Sequence, residues 1–185
     1  EIVFGKGKFT FSEMVSFLET RKGLLDAVVF SGGECLLHKD IVEQIQTVKN
    51  MGFLVKVDTN GSKPEVLKAL MEHDLLDYVA LDFKSNRESF STITQSDLFD
   101  LFEKSLQLLL EANVAFEVRT TYHSELIAQE ELNEMIEYLK YNEYTGTYYI
   151  QHFRNNVETI GNLSNSTKNL DSMPIPTEHI KVVFR

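Results

Sequence analysis

The sequence predicts an α/β protein built on a parallel sheet with helices packed against it. Three observations carry this expectation. Short apolar runs suited to strands alternate with stretches of helical periodicity along the chain. The connections between them are short, and strand–helix repeats joined this way make a parallel sheet. Right-handed crossovers then leave a barrel or a doubly wound sheet. A closed eight-stranded barrel takes about 250 residues, and this chain has 185. An open partial barrel or a doubly wound sheet is therefore expected, as a single domain over residues 1–185.

The elements follow in order. Phe11, Met14, Val15 and Leu18 share one face of a first helix over Phe11–Lys22. Thr10 and Glu13 read as its capping box and Gly23 as its stop. A strand at Ala27–Phe30 follows, then a helix over Lys39–Met51 with Ile41, Val42, Ile45 and Val48 inward. Phe53–Asp58 is the next strand. Ser62 and Glu65 are expected to cap a third helix, with Pro64 in its first turn, where a missing N–H costs nothing. Tyr78–Asp82 is a buried strand. Leu98, Leu101, Phe102, Leu106 and Leu109 mark a long fourth helix, and Val114–Thr120 returns as strand. Leu132, Met135, Ile136 and Leu139 mark a fifth helix, and Thr147–His152 a fifth strand. Residues 155–179 are rich in Asn, Ser and Thr, lack periodicity and read as a surface loop or lid. Lys181–Arg185 reads as an edge strand.

Composition narrows the function. The chain is 43% hydrophobic and 25% charged, as globular proteins are. No apolar run is long enough to span a membrane, and no signal-peptide pattern opens the chain. The formal net charge of -10 argues against a nucleic-acid partner, which needs cations for its phosphates. A single cysteine excludes a disulfide framework and fits a cytoplasmic setting.

In both candidate architectures ligands bind at the C-terminal ends of the strands. Five successive strands deliver polar groups there: Ser31-Gly32-Gly33-Glu34, Asp58-Thr59-Asn60-Gly61, Asp82-Phe83-Lys84, Arg119-Thr120-Thr121-Tyr122 and Gln151-His152. Gly32 and Gly33 allow close backbone approach to a ligand, and Glu34 suits an ammonium group; a tight turn explains the same residues. Asp58 and Asp82 converge on a cation or on a substrate donor, or serve as an ion pair and a turn cap. Lys84 shares a strand face with Asp82 and would meet a carboxylate or phosphate, or simply pair with Asp82. Arg119 has the fork that grips a carboxylate, or is a solvated strand-end cation. His152 is a polar contact or a structural histidine. Cys35 has too few companions to ligate a metal and reads as a small residue packed at a helix start.

The ordered run "VVFSGGECLL", "VKVDTNGSKPEVLKAL", "DYVALDFK" and "VRTTY" resembles the radical S-adenosylmethionine (SAM) superfamily. Within it the run is most similar to the activases of glycyl radical enzymes, such as those of pyruvate formate-lyase and anaerobic ribonucleotide reductase. The resemblance implies a partial (β/α)6 barrel and an oxidoreductase. Its cofactors would be S-adenosyl-L-methionine and a 4Fe-4S cluster. Reductive cleavage of S-adenosylmethionine makes a 5′-deoxyadenosyl radical, which takes hydrogen from a glycine of the partner. The partners implied are a glycyl radical enzyme and an electron donor such as flavodoxin or ferredoxin.

Residue by residue, Gly32, Gly33 and Glu34 match the motif that holds the methionyl ammonium group. Asp58, Thr59 and Asp82 match positions lining the cofactor end, with a monovalent cation as a further ligand of Asp58 and Asp82. Asn60 completes the DTNG turn, Lys84 matches a lysine that contacts the cofactor, and His152 falls near a cofactor-contacting histidine. Arg119 would meet the partner's peptide backbone or carboxylate. There are two departures. Cys35 replaces the proline that usually follows the glutamate, and the CxxxCxxC cluster motif is missing. "EIVFGKG" resembles the stretch that follows the cysteine loop. The first strand and the cluster loop are thus expected upstream of Glu1, and the 185 residues alone are expected to be inactive. The alternatives are a radical enzyme acting on a small metabolite, a cluster-less module that binds SAM or another nucleotide, and a lyase forming a Schiff base at Lys84.

Overall fold

Six strands pair in their order along the chain, β1-β2-β3-β4-β5-β6, and every pairing is parallel. The strands are β1 (Ala27–Phe30), β2 (Leu54–Thr59), β3 (Tyr78–Asp82), β4 (Ala115–Tyr122), β5 (Thr147–His152) and β6 (Lys181–Phe184). A doubly wound sheet reverses its strand order part-way. This one never does, so the winding is that of a barrel. β1 and β6 stand at opposite ends, which leaves the barrel open. The computed structural model describes residues 9–156, 159, 162–167 and 180–185.

The helices are α1 (Phe11–Glu19), α2 (Ile41–Asn50), α3 (Pro64–Glu72), α4 (Arg87–Thr94), α5 (Phe99–Glu111) and α6 (Gln129–Tyr141), with a 3-10 turn at Cys35–Leu37. Strand alternation decides what each sheet face meets. Val55, Val57, Val79, Leu81, Val118, Tyr148 and Ile150 are buried in one core with Ile45, Leu67, Leu70, Phe102, Leu106, Leu132 and Met135 of the helices. Each such side chain contributes about 1.5–3 kcal/mol by leaving water. The opposite, inner face carries Lys56, Asp58, Tyr78, Asp82, Glu117 and Arg119.

Three local expectations need correction. α1 stops at Glu19, and its capping box forms as expected: Glu13 N–H donates to Thr10 Oγ1 and Thr10 N–H to Glu13. α3 is not capped by Ser62 and Glu65. Asn60 Oδ1 accepts the Ser62 N–H at 2.9 Å, so the helix starts later, after Lys63. Glu65 instead pairs with Lys104 on α5. Finally, α4 precedes the long helix. Its sequence, RESFSTIT, buries only Phe90, too little for a periodic signal, but Asn86 caps it by accepting the Ser89 N–H at 2.9 Å.

Part of the 155–179 loop is described. Asn155 and Asn156 bond Ser166 and Asn165, and Ser164 and Ser166 reach the segment after β4 through His123 and Ser124. The rest of that loop, and the strand expected before Glu1, lie outside the described residues.

Candidate functional site

The turn after β1 has Gly32 at φ 105° and Gly33 at φ 58°, backbone that favours glycine. A methyl group added at Gly32 would meet nothing within 4 Å among the described residues. Glu34 is buried. Its carboxylate accepts from Leu36 N–H at 3.1 Å, Thr59 Oγ1 at 2.9 Å and Asn60 N–H at 2.6 Å. It thereby staples the Gly-Gly turn to the Asp58-Thr59-Asn60-Gly61 turn after β2. Burial pushes its pKa up and outweighs the three hydrogen bonds, with Asp82's charge adding to the rise. Two of these bonds fall on Oε1 and one on Oε2, so Oε2 keeps an acceptor site beyond its bond to Asn60.

The polar inner face is one continuous chain of ion pairs. Lys84 Nζ bonds Asp82 Oδ2 at 2.8 Å, and Arg119 Nε bonds Asp82 Oδ1 at 2.5 Å. Arg119 Nη2 stands 3.1 Å from Asp58 Oδ2, and Lys56 Nζ 3.4 Å from Asp58 Oδ1. Lys56 then reaches Glu117 Oε1 at 3.7 Å, and Arg185 Nη2 the same oxygen at 2.9 Å. Charge alternates along all seven side chains, which come from β2, β3, β4 and the end of β6. Burial raises the pKa of Asp82, but Lys84 and then Arg119 overcome it, and the net shift is downward. Burial works against the charge of Arg119 too, and its two aspartates more than restore it.

Asp58 and Asp82 both contact the guanidinium of Arg119. The Lys56–Asp58 contact lacks hydrogen-bond geometry, so Asp58 Oδ1 is a buried acceptor without a hydrogen-bond donor among the described residues. Among those residues no group of three metal-ligating side chains occurs. Thr59 is buried and bonded to Glu34, on the helix side of β2. His152, at the end of β5, is exposed. By alternation it shares a face with Tyr148 and Ile150, and Gln151 occupies the inner face instead. Cys35 is buried, with its thiol 3.4 Å from the Asp58 carbonyl oxygen and its pKa pushed up to about 12, chiefly by burial. It is a packed neutral thiol.

Sequence reading missed Lys56, Glu117, Tyr149 and Arg185. The signal was present: Lys56 is two residues before Asp58, and Glu117 two before Arg119, so each pair must share a face.

A profile of the radical SAM superfamily matches residues 11–140, more than half the chain. The chain belongs to the radical SAM superfamily. A Methanocaldococcus jannaschii protein, provisionally named a glycyl-radical enzyme activating enzyme, is 34% identical over 121 residues, 62% of this chain and 50% of that protein. The chain thus spans half the length of this relative. Two solved structures share the fold. SuiB of Streptococcus suis, bound to S-adenosylmethionine, superposes with a TM-score of 0.65 at 14% identity, over 90% of this chain and 38% of that one. A domain of pyruvate-formate lyase-activating enzyme from Bacteroides vulgatus gives 0.62 at 17%, over 86% and 98%. This radical SAM chain therefore has the open parallel barrel of its structural neighbours.

The residues fit one of the family's two cofactors. The Gly32-Gly33 turn offers backbone groups, and Lys84 at the rim a cation, to the ammonium and carboxylate groups of S-adenosylmethionine. The residues do not fit an iron–sulfur cluster, because the sequence holds one cysteine and its thiol is buried and neutral.

Proposed function

We propose that this chain is the S-adenosylmethionine-binding core of an activase that installs a glycyl radical on a partner enzyme. The observation that carries the reading is the Glu34 staple, which sets the SGGE and DTNG turns side by side above the Asp58–Arg119–Asp82 clamp. The name of the M. jannaschii relative supports the activase class. In this reading the Gly32-Gly33 backbone and Glu34 hold the methionyl ammonium, Asp58 and Asp82 line the cofactor end, and Lys84 takes an anionic or hydroxyl group. Arg119 holds both aspartates in place and helps keep Asp82 ionised. Thr59 and Asn60 act through Glu34 to keep the turn closed. His152 and a monovalent cation remain candidates for the cofactor's outer edge. When bound and reduced, the family's cluster supplies the electron that cleaves S-adenosylmethionine. The 185 residues, lacking ligands for it, are proposed to bind the cofactor without cleaving it.

The test uses the complete gene product, reconstituted anaerobically with iron and sulfide and reduced with dithionite. Release of 5′-deoxyadenosine, followed by a glycyl radical signal in electron paramagnetic resonance when a candidate glycyl radical enzyme is added, is the expected result. Absence of 5′-deoxyadenosine overturns the radical reading. Its formation without a glycyl signal on any candidate moves the substrate to a small metabolite.

A further inference from the structure

The chain of ion pairs ends in a cation on each side. Arg119 and Lys56, in its interior, each contact two carboxylates. Lys84 and Arg185, at its ends, each have one carboxylate partner among the described residues, Asp82 and Glu117. Within this run of pairs four cations alternate with three carboxylates, in a chain whose formal net charge is -10.

Arg119, foreseen as the group that meets a substrate carboxylate, has its Nε and Nη2 taken by the two aspartates and is 15% exposed. Arg185 is placed differently. Backbone bonds on both sides of it, from its N–H to Ile150 and from His152 N–H to its carbonyl, anchor it beside β5. One corner of its guanidinium, Nη2, is held by the buried Glu117, and its Cζ lies 3.9 Å from the centre of the Tyr149 ring. The side chain is nonetheless 39% exposed. A planar five-donor group fixed at one corner and stacked on a ring has already lost most of its rotamer freedom. Its other donors are set for a second, bidentate acceptor.

The neighbours suit a ligand. Asp82, Arg119, Tyr149 and Val183 are register partners across β3 to β6. Two residues further along each strand, and therefore on the same face, come Lys84, Thr121, Gln151 and Arg185. Thr121 is exposed and Gln151 half-buried, so a hydroxyl and an amide stand in the row between the two terminal cations. The row begins two strands from β1 at Lys84 and ends five strands from it at Arg185.

We propose that Arg185, with Gln151 and Thr121 beside it, forms a carboxylate-binding subsite on the substrate side of the inner face. It deepens the activase reading by giving the substrate-facing half of that site a chemical requirement. A phosphate dianion suits it less, because the one guanidinium is already half-neutralised by Glu117.

The test is an NMR titration of the complete, 15N-labelled protein, reading the Arg185 Nε–H and the Gln151 amide. The probes are sodium acetate, sodium phosphate and sodium chloride at matched ionic strength, and the capped peptides acetyl-Gly-Asp-Gly-amide and acetyl-Gly-Asn-Gly-amide. Saturable shifts with acetate and the Asp peptide, absent with chloride and the Asn peptide, are expected. In R185Q the Gln151 response should need about tenfold more acetate or show no saturation, and R185K should fall between, keeping charge but losing the fork. Tighter binding of the Asp peptide than of acetate identifies a protein carboxylate as the source; equal binding identifies a small molecule. Equal responses to chloride, stronger responses to phosphate, or an unaltered response in R185Q overturn the subsite. S-adenosylmethionine binding to the wild-type protein, measured in parallel, separates the two ideas. Cofactor binding without a carboxylate response defeats the subsite alone, and a carboxylate response without cofactor binding defeats the activase reading alone.

Discussion

Arg119 Nε donates to Asp82 Oδ1 at 2.5 Å across β3 and β4, where the two residues are register partners. With its other edge on Asp58, the arginine holds two carboxylates from neighbouring strands in place. Removing it would leave both aspartates only partly compensated on a largely buried face. R119M should therefore lose about 3 kcal/mol, the low end of the cost of breaking a buried pair, since Lys84 and Lys56 remain. Urea unfolding at pH 7 checks this. The pH dependence gives a second check. The pKa of Asp82 lies below its ordinary value, so its stabilisation is present above about pH 4 and fades as pH falls through the folded value. R119M should show a shallower acid loss than the wild type. Equal acid slopes would show that Arg119 does not set the ionisation of Asp82.

Gly61 is the close-approach glycine of the site. At φ 76° it ends the DTNG turn, and a Cβ there would stand 3.0 Å from Leu81 Cδ1, 3.2 Å from Phe102 Cα and 3.3 Å from Ser105 Cβ. Ser105 Oγ also donates to its carbonyl at 2.7 Å, tying α5 to the turn. G61A combines left-handed strain with overpacking against helix backbone, and a loss of about 2–4 kcal/mol is expected. G32A has the strain without the collision and should lose about 1 kcal/mol. Its main effect should be weaker S-adenosylmethionine binding. Calorimetric melting of both variants, with cofactor titration of G32A, checks the pair.

Cys35 should be chemically silent. Its thiol is buried and raised to about 12, mostly by burial, then by the charges of Glu34 and Asp58. At pH 8 the thiolate population is then negligible, and the thiolate is the reactive form. Iodoacetamide should label the native protein at the rate of its unfolding and should label it promptly in urea. Prompt labelling of the native protein would place Cys35 in a reactive setting that its packing does not provide.

The sheet was legible because Val55, Val57, Val79 and Leu81 carry the alternation that a buried strand needs. Periodicity alone left a barrel and a doubly wound sheet open, because strand order is not written in any one strand; the family resemblance pointed to the partial barrel, and the sheet order bears it out. Gly32-Gly33, Asp58 and Asp82 were correctly read to strand ends. What went unread was the company they keep. A carboxylate at a strand end looks the same in sequence whether it awaits a metal or an arginine, and only the β3–β4 register makes Arg119 the partner of Asp82. Glu117 and Arg185 are 68 residues apart, so no local pattern links them. The α3 start was misread because Asn60, two residues upstream, competes for the Ser62 N–H.

Glu34 supplies a prediction of opposite sign to that of Asp82. Its carboxylate is buried, accepts three hydrogen bonds and still has a pKa above the ordinary value, because burial outweighs the bonds. Between the unfolded value, about 4.3, and the higher folded value, the native state binds more protons than the unfolded chain. Stability therefore falls as pH rises through that window. Glutamine keeps the shape of protonated glutamate, but its amide nitrogen cannot accept. E34Q thus leaves either Asn60 N–H or the Leu36 and Thr59 donors without a buried acceptor, a cost of about 1–2 kcal/mol at pH 4. The variant has no charge to desolvate, so its deficit against wild type should narrow as pH rises above the ordinary carboxylate range. Urea midpoints of both proteins between pH 4 and pH 8 measure that deficit. A deficit that widens with pH would mean that the staple works best as a charged carboxylate, and that the three donors of Leu36, Thr59 and Asn60 outweigh burial after all.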